Sequence, residues 1–450
     1  MACLFADHKK SEKRLKPDKG RMRYIWIEDR KEQEEHTMVK AVLIGAGLRG
    51  SEAYASYALE YPNELQFTAV AEVDDERRIR FAGLHNIPEN RQYKDYRELL
   101  AEEKMADCAL VCTQDHMHYE PVILALEKGY HVLCEKPMSP VREEIIKMGQ
   151  MAEKYGRILQ ICHVLRYSPF FVKIKELLDG RRIGQLISIQ HIEEVGYWHF
   201  AHSFVRGNWR NSRQSSPVIL AKCCHDMDIL LWLAGSACTS VSSYGDLTHF
   251  RKENAPEGAP HYCMDGCRYR DECPYYAPRF YLTHERAVKD HLIQAVSMDI
   301  SRKAVLEKLR KGPYGRCVYH CDNDVADHQT VNLQFENGVD VSFEMCAFTK
   351  ACNRRINLMG THGQIMGDME AGRIVLYDFA RGHEETIDLN TPAEGHGGSD
   401  SALMKEFIQL VESGSGSGKT DAALSVESHL IALAAEQSRV EGHTIKLAGK

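Results

Sequence analysis

The stretch VKAVLIGAGLRGSEAYASYAL, residues 39–59, combines a short apolar strand pattern, a glycine-rich turn and a helical pattern. Gly45, Gly47 and Gly50 form the motif G-x-G-x-x-G. The first glycine permits a tight turn, the second lets a pyrophosphate approach the backbone, and the third lets strand and helix pack closely. The free N–H groups at the start of the helix suit phosphate oxygens. The stretch therefore predicts the first unit of a dinucleotide-binding Rossmann fold.

The second strand pattern, FTAVAEVD at residues 67–74, contains an acidic residue, Glu72, near its end. Glu72 follows Gly50 at about the twenty-residue spacing at which such folds place an acid. A carboxylate there binds the ribose hydroxyls of the adenosine half and repels the 2′-phosphate of NADP. We therefore expect NAD in preference to NADP, although Arg77 and Arg78 would suit NADP.

Two further apolar strand patterns, ADCALVCT (106–113) and GYHVLCEKP (129–137), follow with a helical pattern between them. This alternation predicts parallel β-α-β units, and such sheets bind ligands at the carboxyl ends of their strands. Polar residues occur at those ends, and Pro137 fixes the chain directly after Lys136. The expected cofactor contacts are Gly45, Gly47, Leu48, Arg49, Gly50, Glu72, Thr113, His118, Glu135 and Lys136.

The bulk composition excludes several classes of function. The 450 residues carry a formal net charge of −7, which argues against nucleic acid or a membrane surface as the main partner. No apolar run approaches the roughly 20 residues that a membrane helix needs. The basic segment from Lys9 to Arg23 lacks the apolar stretch of a secretory signal. We expect residues 1–37 to be a disordered extension and the protein to be cytoplasmic.

Motifs along most of the chain together resemble those of one enzyme family. They are GAGLRG (45–50), TQDHMHYEPVILALEKGYHVLCEKP (113–137), VLRYSP (164–169), CHDMDILLWLAG (224–235), GTHGQIMGD (360–368) and SHLIALAAEQSR (428–439). Each motif alone is weak, but the set resembles the Gfo/Idh/MocA family, which includes glucose–fructose oxidoreductase and inositol dehydrogenase. The resemblance covers roughly residues 39–445.

The resemblance implies an α/β protein with a Rossmann domain over residues 38–164 and a second domain over residues 165–450. The second would be an α+β domain with an open, mainly antiparallel sheet, which members commonly use to pair subunits, so a homo-oligomer is expected. The resemblance also implies NAD(P) and a polyol, sugar or sugar-derivative substrate. Lys136 would lie between the nicotinamide ribose and the substrate hydroxyl, His225 would act as the acid/base, and Arg166 of VLRYSP would contact the substrate.

The segment before and around His225 fits a catalytic helix. Ser215 and Ser216 are good capping residues, and helical spacing places Lys222 and His225 on one face. A neutral histidine is a natural base for an alcohol proton, and a nearby ammonium stabilises a developing alkoxide. Many dehydrogenases of the family carry an aspartate four residues before this histidine, where this chain has Ala221. Lys222 is therefore a third candidate catalytic residue.

An aromatic and basic stretch, EEVGYWHFAHSFVRGNWR at residues 193–210, lies just upstream of that helix. Aromatic faces and forked donors suit a polar, hydroxyl-rich ring, so we expect the stretch to form a lid over the substrate. A strand and loop with exposed aromatic residues is the alternative. The predicted substrate contacts in this stretch are Tyr197, His199, His202, Arg206 and Trp209.

A cysteine-rich insertion is expected at about residues 255–322, where YCMDGCRYRDECPYYAP (262–278) is followed by RCVYHC (316–321). Four thiolates can hold zinc tetrahedrally and so stabilise an insertion that lacks a core of its own. An iron–sulfur cluster and free thiols are the alternatives. The predicted zinc ligands are Cys263, Cys267, Cys273 and Cys317.

Together these features predict an NAD-dependent oxidoreductase that acts on a sugar, sugar derivative or cyclitol. Hydride would move between a substrate carbon and nicotinamide C4, with Lys136 and His225 handling the hydroxyl proton. One alternative is an NAD-retaining, redox-neutral glycoside hydrolase or lyase that works through a keto-sugar intermediate. A non-catalytic NAD-binding sensor is a third class, and the presence of Lys136 and His225 argues against it.

Overall fold

The computed structural model describes residues 12–18, 21–27, 38–389 and 395–447. The chain divides into two units, Met1–Met38 and Val39–Lys450. In the first unit, strand Glu12–Asp18 pairs antiparallel with strand Arg21–Ile27. The rest of the N-terminal extension, for which we expect disorder, lies outside the described residues.

The second unit begins with a six-stranded parallel sheet, as predicted for a Rossmann fold. The strands lie in the order Gln92–Tyr93, Leu65–Ala71, Val39–Ile44, Cys108–Val111, His131–Cys134 and Leu159–Ile161. Separate apolar cores cover its two faces, which explains why the inner strands are continuously apolar. Its helical segments are Arg49–Tyr54, Ser56–Glu60, Asp75–Leu84, Glu89–Arg91, Tyr96–Ala101, Asp115–Met117, Tyr119–Glu127 and Arg142–Tyr155.

A nine-stranded sheet forms the centre of the second domain. Its strands lie in the order His383–Asp388, Arg373–Asp378, Gly363–Asp368, Asn353–Gly360, Leu186–Glu194, Asp340–Cys346, His328–Phe335, Cys238–Asp246 and Ile445–Lys446. The pair Leu186–Glu194 and Asp340–Cys346 is parallel and the other pairs are antiparallel, so the predicted mainly antiparallel sheet is confirmed. The helical segments of this part are Val164–Tyr167, Pro169–Asp179, Tyr197–Phe200, Ala201–Arg206, Val218–Ala221, Cys224–Ala234, Lys252–Asn254, Gly395–Ser413 and Ala422–Glu441.

One face of this sheet is apolar and covered, and the other is polar. Along His328–Phe335 every second residue is buried, ending in Val331, Leu333 and Phe335. Residues of the helix Cys224–Ala234 belong to the same apolar core. The alternation is that of an antiparallel sheet with one solvated face. In the described ranges, no helix has the length and apolar character needed to cross a membrane.

The helix Gly395–Ser413 returns from the end of the chain to the Rossmann domain. Its Leu403, Met404 and Phe407 are fully buried in the same core as Leu43 of the first strand. The first domain is therefore completed by residues that lie far beyond the expected boundary at residue 164. Apolar side chains on one face of this helix require that covering surface.

The cysteine-rich insertion has an apolar core of its own. It contains the helical segments Ala277–Thr283, Glu285–Lys289, Leu292–Val296, Arg302–Lys311 and Pro313–Gly315. Tyr281, Ala287, Val305 and Leu309 are completely buried among these segments, and Trp198 packs into the same cluster. The insertion therefore has its own apolar core, and the expectation that it needs a metal in place of one is wrong.

The returning helix gives the first testable prediction. Phe407→Ala should lower the free energy of unfolding by about 3–5 kcal/mol, because it empties a fully buried aromatic site. Gln409→Ala, an exposed position on the same helix, is the matched control and should change stability by less than about 0.5 kcal/mol. Urea unfolding measures both. Equal effects would show that this helix does not complete the Rossmann core.

Candidate active site

The glycine turn leaves room on one side. A Cβ atom on Gly45, whose φ is +93°, would lie 2.6 Å from the carbonyl oxygen of Cys112, and one on Gly50 would lie 2.3 Å from the carbonyl oxygen of Gly45. A Cβ on Gly47 would meet none of the described atoms within 4 Å. The turn is therefore tight at its first and third glycines and open at the second, as a pyrophosphate needs.

Glu72 lies directly against this turn. Its Oε2 accepts a hydrogen bond of 2.7 Å from the backbone N–H of Ala46, and its Oε1 accepts one of 3.0 Å from Asp74. Arg78 donates to the carbonyl oxygen of Glu72 at 2.9 Å and pairs with Asp75, so its guanidinium is held by the protein. The position of the carboxylate fits a ribose with free hydroxyls better than one that carries a phosphate.

Glu135 organises the next part of the cofactor edge. Its Oε1 accepts hydrogen bonds from Arg49 Nε at 2.8 Å and from the hydroxyl of Tyr54 at 2.6 Å, and its Oε2 accepts one from the backbone N–H of Lys136 at 2.8 Å. Burial opposes ionisation of this carboxyl, but the charges of Arg49 and Lys136 outweigh burial and hold its pKa below the usual range. Arg49 also pairs with Asp400 at 2.7 Å, so it braces Glu135.

Two buried histidines hold the turn after Lys136, whose peptide bond to Pro137 is cis. The ring nitrogens of His118 lie 2.7 Å from the carbonyl oxygen of Pro137 and 3.1 Å from that of Thr113. His429 accepts a hydrogen bond of 2.9 Å from the backbone N–H of Met138. Burial lowers the pKa of His429 to about 3, so this ring is neutral. Because both ring nitrogens of His118 lie against backbone oxygens, we assign His118 to positioning the turn after Lys136 instead of the predicted cofactor contact.

Lys136 connects the two domains at the site. Its Nζ donates a hydrogen bond of 2.8 Å to the carbonyl oxygen of Ala221. Ala221 is the residue four positions before His225, where the resemblance leads one to expect an aspartate. A backbone oxygen thus contacts Lys136 at the place where a carboxylate side chain is missing.

The predicted single helix around His225 is wrong, because the structure has two helices, Val218–Ala221 and Cys224–Ala234, with Lys222 between them. Lys136 binds the carbonyl oxygen of Ala221 at this break. Lys222 and His225 therefore do not share a face by helical spacing. His225 lies near the start of the second helix, 7% exposed, with its ring 5.7 Å from that of the buried His163.

Lys222 is held by a buried network of charges. Its Nζ lies 3.2 Å from Glu193 Oε1, and Arg354 Nη2 lies 2.8 Å from Glu193 Oε2. Arg354 also pairs with Asp226 at 2.8 Å, and Asp226 contacts His191 Nε2 at 2.8 Å. Burial has the largest effect on Lys222 and lowers its pKa, but the surrounding negative charges, that of Glu193 first among them, together leave that pKa above the ordinary value. Lys222 is therefore a fixed ammonium.

His199, a residue of the predicted lid, has a pKa that burial and the charges of Lys222 and Lys136 all affect. Burial lowers its pKa well below the ordinary value, and the charges of Lys222 and Lys136 add to that effect. The imidazole is therefore neutral and lies within the electrostatic reach of both ammonium groups. Tyr197 is half-buried beside it, and Trp209 Nε1 donates a hydrogen bond of 2.9 Å to Asp115 Oδ1. His199, Tyr197 and Trp209 remain predicted substrate contacts.

Two other predicted substrate contacts point into the insertion. The ring of His202 lies 2.7 Å from the hydroxyl of Tyr281 and stacks on Tyr314 at 4.8 Å. Arg206 is 2% exposed and donates to the backbone oxygens of Arg316 and Tyr275, both at 2.7 Å. The segment Ala201–Arg206 winds as a π-helix and turns these side chains inward. We therefore assign both residues to the structure of the insertion.

Arg166 is also engaged within the protein. Its Nε and Nη2 bind the two carboxylate oxygens of Asp228 at 2.7 and 2.8 Å, and its Nη1 donates to the carbonyl oxygen of Lys419 at 3.1 Å. The side chain is 4% exposed. Because all three nitrogen atoms contact protein oxygens, a structural role replaces the predicted substrate contact.

The zinc prediction is not supported. In the described part of the chain, no group of three or more His, Cys, Asp or Glu side chains is arranged to hold a metal ion. The predicted ligand Cys263 has its Sγ 3.7 Å from Arg206 Nη2, and burial raises the pKa of the predicted ligand Cys317 to about 11, which disfavours the thiolate that a metal requires. A buried cation among the thiols disfavours a second cation there. The predicted set Cys263, Cys267, Cys273 and Cys317 is therefore corrected to free thiols, of which Cys263 contacts Arg206.

Sequence reasoning missed three residues that the site depends on. Glu193 and Arg354 fix Lys222, and Asp115 joins the edge of the Rossmann sheet to Trp209 of the segment 193–210. Asp115 lies in TQDHMH at the end of a predicted strand, so the strand-end rule could have found it. Arg354 is far from Lys222 along the chain, and the strand pairing that brings it there is a tertiary property.

Comparisons with known proteins agree with this geometry. Residues 39–163 match the family described as "Oxidoreductase family, NAD-binding Rossmann fold", and residues 175–447 match "Oxidoreductase family, C-terminal alpha/beta domain". The Bacillus subtilis protein YteT, whose name gives it as an oxidoreductase without a substrate, is 23% identical over 391 residues, which are 82% of this chain and 89% of that protein.

Two further similarities carry more specific names. Inositol 2-dehydrogenase 2 of Saccharopolyspora erythraea is 25% identical over 203 residues, 45% of this chain and 56% of that protein. Levoglucosan dehydrogenase, solved in complex with NADH and levoglucosan, has the same fold, with a TM-score of 0.67 at 18% identity, covering 91% of this chain and 99% of that chain. The two family matches together span most of the chain, and it belongs to the Gfo/Idh/MocA family of oxidoreductases, with an NAD-binding Rossmann domain and a C-terminal α/β domain.

Proposed function

We propose that this protein moves hydride between a carbinol carbon of a sugar, sugar derivative or cyclitol and the nicotinamide of NAD. The observation that carries the proposal is the hydrogen bond from Lys136 Nζ to Ala221 O. It brings the lysine at the cofactor edge of the Rossmann sheet to the chain segment that contains Lys222 and His225. The similarity to an inositol dehydrogenase supports this substrate class.

The side chains at this point can handle the hydroxyl proton. An ammonium has three N–H donors, so Lys136 keeps two for a substrate oxygen while the third binds Ala221 O. His225 is suited to accept the proton as the alcohol becomes a carbonyl. Lys222, fixed by Glu193, stabilises the negative charge that develops on the oxygen. NAD supplies the hydride acceptor when it is bound.

The presence of Ala221 where the family resemblance leads one to expect an aspartate favours the redox-neutral cycle as a second candidate function. Ala221 offers a backbone oxygen where a dehydrogenase carboxylate is expected, so the proton-handling set is Lys136, His225 and Lys222. Such a set also suits a redox-neutral cycle, in which ring oxidation acidifies a neighbouring C–H, a glycosidic group is eliminated, water adds and the hydride returns. That cycle needs only catalytic amounts of NAD, whereas a dehydrogenase accumulates NADH.

Cofactor preference is tested at Glu72. Titration of NAD and NADP into the apo-protein should show tighter binding of NAD, because the Glu72 carboxylate repels a 2′-phosphate. Glu72→Ser should narrow the difference, and Glu98→Ser, which removes an exposed carboxylate that has no assigned cofactor role, should preserve it. Equal affinities of the wild-type protein for the two cofactors would contradict the assignment.

The reaction is tested with Lys136→Met and His225→Ala. Each should lower kcat by about 10²–10⁴-fold, the range for a lost acid/base group. Lys147→Met, on an exposed helix position, is the control and should retain activity. A panel of free sugars, inositols and aryl glycosides with trace NAD separates the two cycles. NADH accumulation supports the dehydrogenase, and aryl release without net NADH would replace it with the redox-neutral cycle.

The role of Lys222 is tested by pH dependence. Glu193 holds the pKa of Lys222 above its ordinary value, so Glu193→Gln should lower that pKa. Activity that needs the Lys222 ammonium should then be lost at lower pH than in the wild type. The alkaline limb of kcat/KM should move down by about one pH unit. Glu194→Gln, which removes the partner of the exposed Arg355, is the matched control. Superimposable limbs for Glu193→Gln and wild type would exclude the Lys222 ammonium from the step.

A further inference from the structure

Asp115 makes a buried connection between the two domains. It is the first residue of the short helical segment Asp115–Met117, which follows the strand Cys108–Val111, and it is 3% exposed. Its Oδ1 accepts a hydrogen bond of 2.9 Å from Trp209 Nε1. Its Oδ2 accepts one of 2.9 Å from the hydroxyl of Ser215 and another from the hydroxyl of Ser216. The donors are neutral and lie 94, 100 and 101 residues further along the chain.

The two serines do not serve as the helix caps that their sequence position predicts. The helix Val218–Ala221 begins after Pro217 without a side-chain capping hydrogen bond. A serine cap stabilises a helix by about 1 kcal/mol. The chain directs both hydroxyls to Asp115 instead, which is difficult to explain by local helix stability alone.

The contacts of Asp115 lie directly before the proposed catalytic residues. Ser215 and Ser216 precede the helix Val218–Ala221, whose last carbonyl oxygen binds Lys136. Trp209 closes the 193–210 lid segment. A buried carboxylate needs hydrogen-bond donors for its oxygens. Loss of the Asp115 carboxylate would in turn leave the indole N–H of Trp209 and the hydroxyls of Ser215 and Ser216 without their hydrogen-bond acceptor.

We propose that Asp115 is a positioning residue that sets the distance between the cofactor edge of the Rossmann sheet and the helix that carries His225, and holds the lid through Trp209. The inference rests on the proposed hydride transfer, because it gives Asp115 a part in aligning the reacting groups. Alignment matters to such a step, since a misplacement of about 1 Å can cost on the order of 10²-fold in rate.

The kinetic test uses Asp115→Asn, Trp209→Phe and the double variant. Asn keeps the shape but replaces one acceptor oxygen with a donor, and Phe keeps an aromatic ring, smaller than the indole, but removes the indole N–H. Asp115→Asn should lower kcat by about 10-fold or more with a smaller change in KM, because alignment acts on the transition state. The double variant should be no slower than the slower single variant if both act through one contact. Asp107→Asn, at the other end of the same strand and exposed, is the matched control.

Hydrogen exchange provides a readout that does not depend on turnover. Residues 207–222 should exchange faster in Asp115→Asn than in wild type, and bound NAD should slow their exchange in wild type but not in the variant. If wild type shows no NAD-dependent turnover, the proposed function fails and the exchange result still decides the role of Asp115. Equal slowing by NAD in both proteins, or a kcat within twofold of wild type for folded Asp115→Asn, would overturn the inference.

Discussion

The hydrogen bond of 2.8 Å from Lys136 Nζ to Ala221 O brings together the two parts of this molecule to which we assign the proposed chemistry. The lysine comes from a strand end of the Rossmann sheet, and the carbonyl group comes from a short helix of the second domain. The turn after Lys136 is fixed by His118, which contacts the carbonyl oxygen of Pro137, and by His429, which accepts a hydrogen bond from Met138. The hydrogen bond between Lys136 and Ala221 also coincides with the break between the two helices, so the placement of Lys222 and His225 depends on the same contact.

The buried charges around this point are arranged in compensating groups. Glu193 lies between Lys222 and Arg354, while Arg354 reaches Asp226. Burying an ion pair costs desolvation that its attraction only roughly offsets, so such a network is weak evidence for added stability. Removing one member, however, leaves an uncompensated charge. We therefore interpret the network as the means by which the Lys222 ammonium is held at one position beside Ala221 and His225.

The insertion shows how a composition argument can fail. Cysteines, glycines and charges suggested a segment that needed a metal, but Tyr281, Val305 and Leu309 form a core to which Trp198 of the lid contributes. Arg206 then occupies the space among the thiols. Residues 197–206 and the insertion consequently pack together, which explains why the side chains of His202 and Arg206 contact the insertion.

The sequence alone determined the glycine turn and the parallel strand units of the Rossmann sheet, because glycine spacing and strand patterns depend on neighbouring residues. The mainly antiparallel second sheet and the candidate roles of Lys136 and His225 followed from the family resemblance of the motifs. The tertiary structure decided which polar side chains lie near Lys136 and which are held inside the protein. Arg166 and Arg206 look like substrate ligands in the sequence, yet each is buried and donates hydrogen bonds to oxygens from distant segments. Glu193, Arg354 and Asp115 acquire their roles only through partners far along the chain, because a buried charge is stable only where the fold supplies its counterpart.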